Sequence, residues 1–244
     1  MSTPALAAAL ADIDTVFNGF SSPTETGCER CFAPQETAYL RTPYTRVPPD
    51  LLRRFVHKVP GHFEDHAAVM RRLLPQCARA MADGGLDDLG WSPHGLSRVD
   101  WRSWPAGQAA AVEAFVLAWW DDVLTSPEPP YRVQDVFETG ASILRTMTPL
   151  LDRWQAHPVA DTHLVDCARD WLCTLSSDHW PFIWWTRDDE SAGVAELRAW
   201  LARHAPDRLR ARGEPDLATR ARLVGLPYEE RWNDPYWTNP SATS

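Results

Sequence analysis

The sequence predicts an all-α protein, built as an irregular helical bundle or a short superhelical array of antiparallel helices. Apolar residues recur at helical spacing along nearly the whole chain, and no segment of four or more residues alternates cleanly as a β-strand would. Short connections rich in Pro and Gly separate the periodic stretches, which is typical of antiparallel neighbours. No repeat of fixed period is present, so a regular repeat array is not indicated.

Caps and prolines delimit the helices of the first half. Thr3 and Pro4 are residue types that favour a helix N-cap and first helical position. Pro60-Gly61 should end the helix that starts after Pro48-Pro49, and Pro75 should kink or split the next one. The helices predicted here cover about 3–20, 34–41, 49–58, 62–83 and 105–124.

The second half continues the same pattern after a proline-rich breaker at 126–130. Pro149 suggests a break, Asp161 is the expected N-cap of one helix, and Ser191 is that of another. The predicted helices cover about 132–156, 162–175, 191–204, 206–212 and 215–224. We expect residues 1–227 to form a single helical domain and residues 228–244 to form a polar and aromatic C-terminal tail.

Composition limits the classes of function. The net charge of −9 disfavours nucleic-acid binding, which usually needs a basic stripe. No stretch approaches the length of about 20 apolar residues that spans a membrane, and the N-terminus lacks the basic region of a signal peptide. A cytoplasmic location follows, and with it five reduced cysteines. The 13 tryptophans are the most unusual global feature, because tryptophan anchors both cores and binding sites.

The pair Cys28-x-x-Cys31 is the first candidate site. Two thiolates at this spacing can chelate one zinc ion, which then needs two further ligands. His62 and His66 are four residues apart, one helical turn, so we expect both to reach the same ion. The four residues would form a Cys2His2 zinc site, although the gap between the pairs matches no zinc-finger spacing. A redox dithiol or two unligated thiols are the alternatives.

Two further sets of residues that include aspartates are candidates for a metal or catalytic site. The polar face of the helix over 162–175 could supply metal ligands or an acid–base pair, or be a solvated surface; it carries His163, Asp166, Cys167 and Asp170. Asp121-Asp122 follow Trp119-Trp120, and an Asp pair in an aromatic-rich all-helical chain is typical of class I terpene cyclases, but Thr125 stands where their acidic motif has a third aspartate. Solvent-facing residues near a helix end are the simpler interpretation.

An aromatic run at 178–185 is the candidate binding segment. Exposed, it would form an apolar patch of the kind that marks a binding site, and buried it would fill the groove between helices. Its large aromatic residues are Trp180, Phe182, Trp184 and Trp185. No nucleophile elbow, phosphate loop or H-E-x-x-H motif is present, and His57 and His94 each stand alone.

Four local features of the first half also resemble a known pattern. They are Gly27-Cys28-Glu29-Arg30-Cys31, Pro49-Asp50-Leu51-Leu52, Leu73-Leu74-Pro75 and Trp101-Arg102-Ser103-Trp104-Pro105. Together they resemble an uncharacterised family of bacterial all-helical proteins, over about residues 5–125. That family has no assigned activity, so the resemblance implies the fold class alone.

The leading hypothesis is therefore a binding or interaction protein. It would offer an aromatic-lined groove between helices to a protein or a small molecule, because the chain combines helices, excess tryptophan and no catalytic motif. The alternative is a metal-dependent or acid–base enzyme that uses the His, Cys and Asp residues above. A third hypothesis is a zinc-stabilised structural subunit, with zinc the one cofactor indicated.

Overall fold

A computed structural model of the chain describes residues 2–87, 89, 93–177, 179, 182 and 187–238. Helices supply the regular structure of this part of the chain, which contains no strand, and the predicted all-α class is confirmed. The α-helices are α1 (Pro4–Val16), α2 (Pro34–Arg41), α3 (Pro49–Val56), α4 (His66–Asp83), α5 (Ala106–Thr125), α6 (Val133–Leu144), α7 (Thr148–Leu151), α8 (Pro158–Ser176), α9 (Arg187–Ala211), α10 (Pro215–Leu223) and α11 (Tyr228–Trp232). Short 3₁₀ helices cover Pro60–His62, Gly95–Arg98, Trp101–Ser103 and Pro235–Trp237.

The described residues group into two compact units. Unit 1 takes the described parts of Met1–Val123 and Glu128–Arg145, and unit 2 those of Leu124–Pro127 and Thr146–Ser244. The prediction that residues 1–227 form a single domain requires the two units to unfold together, and it stays a prediction. The segment expected to be a tail contains α11 and the 3₁₀ turn Pro235–Trp237.

Helix α4 is the centre of unit 1, where α1, α2 and α3 pack against it. Its apolar residues recur at helical spacing and are buried, which is what allows one helix to contact three others. The buried apolar side chains of α4 are Val69, Met70, Leu73, Leu74, Cys77, Ala78 and Met81. The helix runs unbroken through Pro75, so the expected split does not occur.

Unit 2 is built from α8, α9 and α10, with α7 packed on α9. Three buried tryptophans meet at its core: the Trp154 ring lies 6.0 Å from that of Trp171 and 5.5 Å from that of Trp200. The indole N–H of Trp154 donates to the carbonyl of Ala160 at 3.0 Å, which satisfies its one polar atom. Much of the tryptophan excess therefore serves packing.

Helix caps decide the remaining boundaries. The Thr3 hydroxyl accepts the N–H of Leu6, so the predicted N-cap of α1 is confirmed. The predicted cap at Asp161 is wrong: His157 caps α8, and Asp161 forms an ion pair of 2.6 Å with Arg208. Helix α9 begins at Arg187, before the expected cap, and continues through Pro206.

Among the residues described, no helix is both long and apolar enough to cross a membrane.

Candidate metal centre

Two cysteines and a histidine converge at the surface of unit 1. The candidate ligand atoms of Cys28, Cys31 and His62 all lie within 4.8 Å of one another. Cys31 Sγ and His62 Nδ1 lie 3.4 Å apart. Both cysteines are free thiols, and all three side chains are half-buried, so a small ion can reach them from solvent. In the described part of the chain, this is the one group of three or more such residues close enough to share a metal ion.

A tight turn holds the two sulfurs on one side of the backbone. The N–H groups of Cys31 and Phe32 both donate to the carbonyl of Cys28, at 2.8 and 2.9 Å. The N–H of Cys28 in turn donates to the carbonyl of His62 at 2.9 Å, which ties the turn to the 3₁₀ helix Pro60–His62. Backbone bonds therefore set the distance between the thiol pair and the imidazole.

The buried carboxylate of Glu25 joins the same two segments from below. It is fully buried and accepts the N–H of Gly27 at 2.8 Å, that of Glu64 at 3.1 and 3.2 Å, and that of Asp65 at 3.3 Å. Gly27 has a φ of +67°, and a Cβ there would lie 2.8 Å from the side chain of Thr37. Only glycine fits this backbone at low cost, so the residue before Cys28 is fixed by sterics.

Arg54 of α3 braces the cysteine turn from the other side. Its guanidinium donates to the carbonyl of Cys31 and to the carboxylate of Glu36, each at 2.6 Å, and lies 5.2 Å from the ring centre of Phe32. Glu36 also accepts the N–H of Ala33 at 2.8 Å, at the start of α2. These bonds and the charge of Arg54 hold the pKa of the Glu36 carboxyl below its usual value, with the Ala33 N–H as the larger cause.

An aromatic layer lies beneath the site. A phenylalanine directly follows two of the candidate ligands: Phe32 follows Cys31, and Phe63 follows His62. The centroids of the two stacked rings are 5.8 Å apart. The Phe32 ring also lies 4.8 Å from that of the fully buried Phe55. The aromatic layer therefore packs against the residues that directly follow Cys31 and His62.

The electrostatics of the turn favour a metal-binding thiolate. Hydrogen bonding to the side chain of His62, then to the backbone at Arg30 and to the Cys31 side chain, lowers the pKa of the Cys28 thiol to about 7. The thiolate is the form of cysteine that binds metals. A substantial fraction of Cys28 is therefore ready to coordinate near neutral pH.

The structure does not bring His66, the fourth expected ligand, into this group. His62 ends a 3₁₀ helix and His66 begins α4 with Asp65 as its N-cap, so the two do not share a helical turn. The His66 ring stacks on Phe63 at 5.5 Å and is buried. The sequence contained the signal: Pro60-Gly61 breaks the helix and Asp65 is a good N-cap residue.

His66 belongs instead to a buried polar cluster with His57, His94 and Cys77. The rings of His57 and His94 meet edge to face at 6.1 Å, so neither histidine stands alone. His94 Nδ1 accepts the N–H of Leu96, which places the ring proton on Nε2, 3.2 Å from Cys77 Sγ. Burial lowers the pKa of His94 to about 3, with help from His57 and His66, and burial with the Arg98 charge lowers that of His66 to about 4.

The candidate catalytic residues of α8 are not brought together. His163 and Cys167 are buried, whereas Asp166 and Asp170 are exposed, so the four do not share one polar face. His163 Nε2 lies 2.8 Å from the carbonyl of Ser126 and donates to it. Asp166 pairs with Arg169 at 3.2 Å. A catalytic role for His163, Asp166 and Asp170 stays a prediction.

The Asp121-Asp122 pair has a structural contact as well. Asp122 accepts the backbone N–H of Thr3 at 2.6 Å and so holds the start of α1.

Most of the aromatic segment lies outside the described residues, including Trp180, Trp184 and Trp185. Phe182 is buried, with its ring edge-on to Trp171 at 5.7 Å. The prediction that this segment lines a binding groove stays a prediction.

No protein-family model, curated protein or solved structure matches the chain. The resemblance to an uncharacterised bacterial family likewise stays a prediction, and the site has to be interpreted from its own chemistry.

Proposed function

We propose that this chain is a zinc protein in which Cys28, Cys31 and His62 hold one Zn²⁺ ion. The observation that carries the proposal is the convergence of two sulfur atoms and an imidazole nitrogen within 4.8 Å. Two thiolates and one imidazole are ligands that zinc prefers, whereas magnesium and calcium take oxygen ligands.

The spacing of the ligand atoms supports a tetrahedral ion. Zinc–sulfur and zinc–nitrogen bonds of about 2.3 and 2.05 Å at a tetrahedral angle separate sulfur from nitrogen by about 3.5 Å. Cys31 Sγ and His62 Nδ1 are 3.4 Å apart. Coordination would therefore need almost no movement of these two side chains.

The role that fits the surroundings is structural. The ligands come from two segments that are not α-helical, the loop before α2 and the stretch between α3 and α4. An ion bound to both would fasten them above the aromatic layer of Phe32, Phe55 and Phe63. The fourth ligand would be water or a group from another molecule, because the three side chains are half-buried at the surface.

Metal analysis of the purified chain tests the proposal. We expect about one zinc per chain, and loss of most of it in Cys31→Ser and in His62→Gln. Cys173→Ser is the matched thiol control, since Cys173 is exposed and lies in unit 2. His66→Gln is the control for the histidine and should keep its zinc. Full zinc content in Cys31→Ser, or none in the parent chain after reconstitution with zinc, would overturn the proposal.

A metal-dependent enzyme is the second candidate. Three protein ligands with an open fourth position are the pattern of catalytic zinc sites. Replacement of zinc by cobalt(II) tests for the open position that catalysis requires: a change in the visible spectrum on adding azide would show an exchangeable fourth ligand. A spectrum that azide leaves unchanged would count against the catalytic candidate.

A further inference from the structure

A second site opens on another face of unit 1, where a cleft of about 680 Å³ lies between α4, the end of α1 and the segment before α3. None of the proposed zinc ligands lines it. This volume is within the range of small-molecule sites, about 300–1,000 Å³.

One end of the cleft is positively charged. Arg72 of α4 is buried, and its guanidinium donates to two backbone carbonyls, from Nε to Thr42 at 3.2 Å and from Nη2 to Thr45. The carbonyl oxygens accept hydrogen bonds but carry no net charge, and a buried guanidinium without an anion is costly. Burial accordingly lowers the pKa of Arg72 from its usual value.

Arg46 adds a second charge at the same end. The backbone on either side of it is fixed to α4, since Thr45 accepts from Arg72 and the backbone of Val47 bonds with Gln76 at 3.0 and 2.6 Å. The Arg46 side chain is exposed, lines the cleft and has no ion-pair partner among the described residues. Arg46 and Arg72 therefore both line the cleft, and the bond from Arg72 to the Thr45 carbonyl places Arg72 beside the backbone next to Arg46.

The other charged residues of the cleft do not cancel this end. Arg79 is already paired with Asp14 of α1. Asp83 lies eleven residues after Arg72 on α4, or about 16 Å along the helix axis. The lining holds three arginines and two aspartates, which leaves one positive charge in a chain whose net charge is −9. A single negative charge would balance it.

Apolar surface adjoins the charged end. Phe17 and Phe20, whose rings lie 6.0 Å apart, line the cleft together with Pro75. The Tyr44 hydroxyl lies so close to Gly19 that a Cβ on residue 19 would clash with it, and both residues line the cleft. Tyr44 adopts a positive φ of 63° although it is 77% exposed. This backbone conformation, which aromatic residues seldom adopt, places Tyr44 in the lining of the cleft.

We propose that this cleft binds a small monocarboxylate with a flat apolar body. The carboxylate would lie between Arg46 and Arg72, where guanidinium groups can offer paired N–H donors. The apolar body would lie against Phe20 and the ring of Tyr44, over the buried Phe17. This site is independent of the zinc proposal.

Titration calorimetry of the full, zinc-loaded chain tests this with indole-3-acetate and its neutral amide, indole-3-acetamide. The acid is expected to bind more tightly than the amide by about tenfold or more, since hydrogen bonds to charged groups are the stronger kind. Arg46→Gln should remove about that factor for the acid and leave binding of the amide unchanged. Arg203→Gln, an exposed arginine of unit 2, is the matched control and should change neither.

Tyr44→Ala keeps the test independent of charge and should weaken both compounds alike. Equal binding of the acid and the amide would overturn the proposal, as would an unchanged affinity in Arg46→Gln. No binding of the acid at millimolar concentration would overturn it as well.

Discussion

Removal of zinc from the Cys28, Cys31 and His62 site is expected to lower the free energy of unfolding of unit 1 by about 4 kcal/mol. The ion would act as a cross-link between Cys31 and His62, which are 31 residues apart in the sequence. The entropy that a cross-link removes from the unfolded chain grows with the logarithm of this loop length, and a loop of about 31 residues gives the stated value.

This loss converts to a change in melting temperature. For a unit of about 140 residues, a loss of 1 kcal/mol in the free energy of unfolding lowers the melting temperature by roughly 2–4 °C. Unit 1 should therefore melt about 10–15 °C lower without zinc. Differential scanning calorimetry of the loaded, chelated and reloaded protein measures the shift. Hydrogen exchange should place the lost protection in residues 22–33 and 57–65.

The matched variants make this reasoning refutable. Cys31→Ser should melt like the chelated protein and should not respond to chelator, whereas Cys173→Ser should behave like the parent chain. An unchanged midpoint in protein whose zinc has been fully removed would show that the ion does not fasten the two segments. Loss of exchange protection confined to unit 2 would contradict the assignment of the site.

Three further predictions concern other described residues. Glu25→Ala should destabilise unit 1 by about 2–4 kcal/mol in urea unfolding, because three backbone N–H groups lose a buried acceptor, and it should weaken zinc binding in a competition with a chelating dye. The free energy of unfolding should fall as the pH drops below about 6.5, by up to about 1.4 kcal/mol per pH unit for each buried neutral histidine. The reason is that His66 and His94 take up protons in the unfolded chain, whereas their folded forms, with pKa values of about 4 and 3, do not. Urea midpoints at pH 7 and 5 measure this, and equal values would contradict it. Burial raises the pKa of Cys77 to about 12, so a thiol reagent should label the exposed Cys173 quickly and Cys77 only after unfolding.

Local signals predicted the helices well where a proline or a cap marks the boundary. Helix α2 was expected at 34–41 and covers Pro34–Arg41, because Pro34 fixes its first turn. Helices α4 and α9 run through Pro75 and Pro206, where the sequence predicts a break. Each proline lies in a helix whose neighbouring residues are buried, and this packing offsets the cost of a missing backbone bond, which sequence pattern alone cannot reveal.

The candidate metal site was predictable only in part. The Cys28-x-x-Cys31 spacing is local, so the pair could be singled out from the sequence. The choice between His62 and His66 depended on where α4 begins. Glu25 carries no local signal, since its partners Glu64 and Asp65 are about forty residues away.

The cleft of unit 1 could not have been found from the sequence. Its charged end joins Arg46 with Arg72 through bonds to backbone carbonyls, and its apolar wall comes from the end of α1. These contacts are set by tertiary packing, and no periodicity or motif encodes them.

X-ray absorption at the zinc edge tests the central claim most directly. The Cys28, Cys31 and His62 site predicts a first shell of two sulfur atoms at about 2.3 Å and two nitrogen or oxygen atoms at about 2.0–2.1 Å. A shell without sulfur, or with four sulfur atoms, would contradict the assignment of these three residues as the zinc ligands.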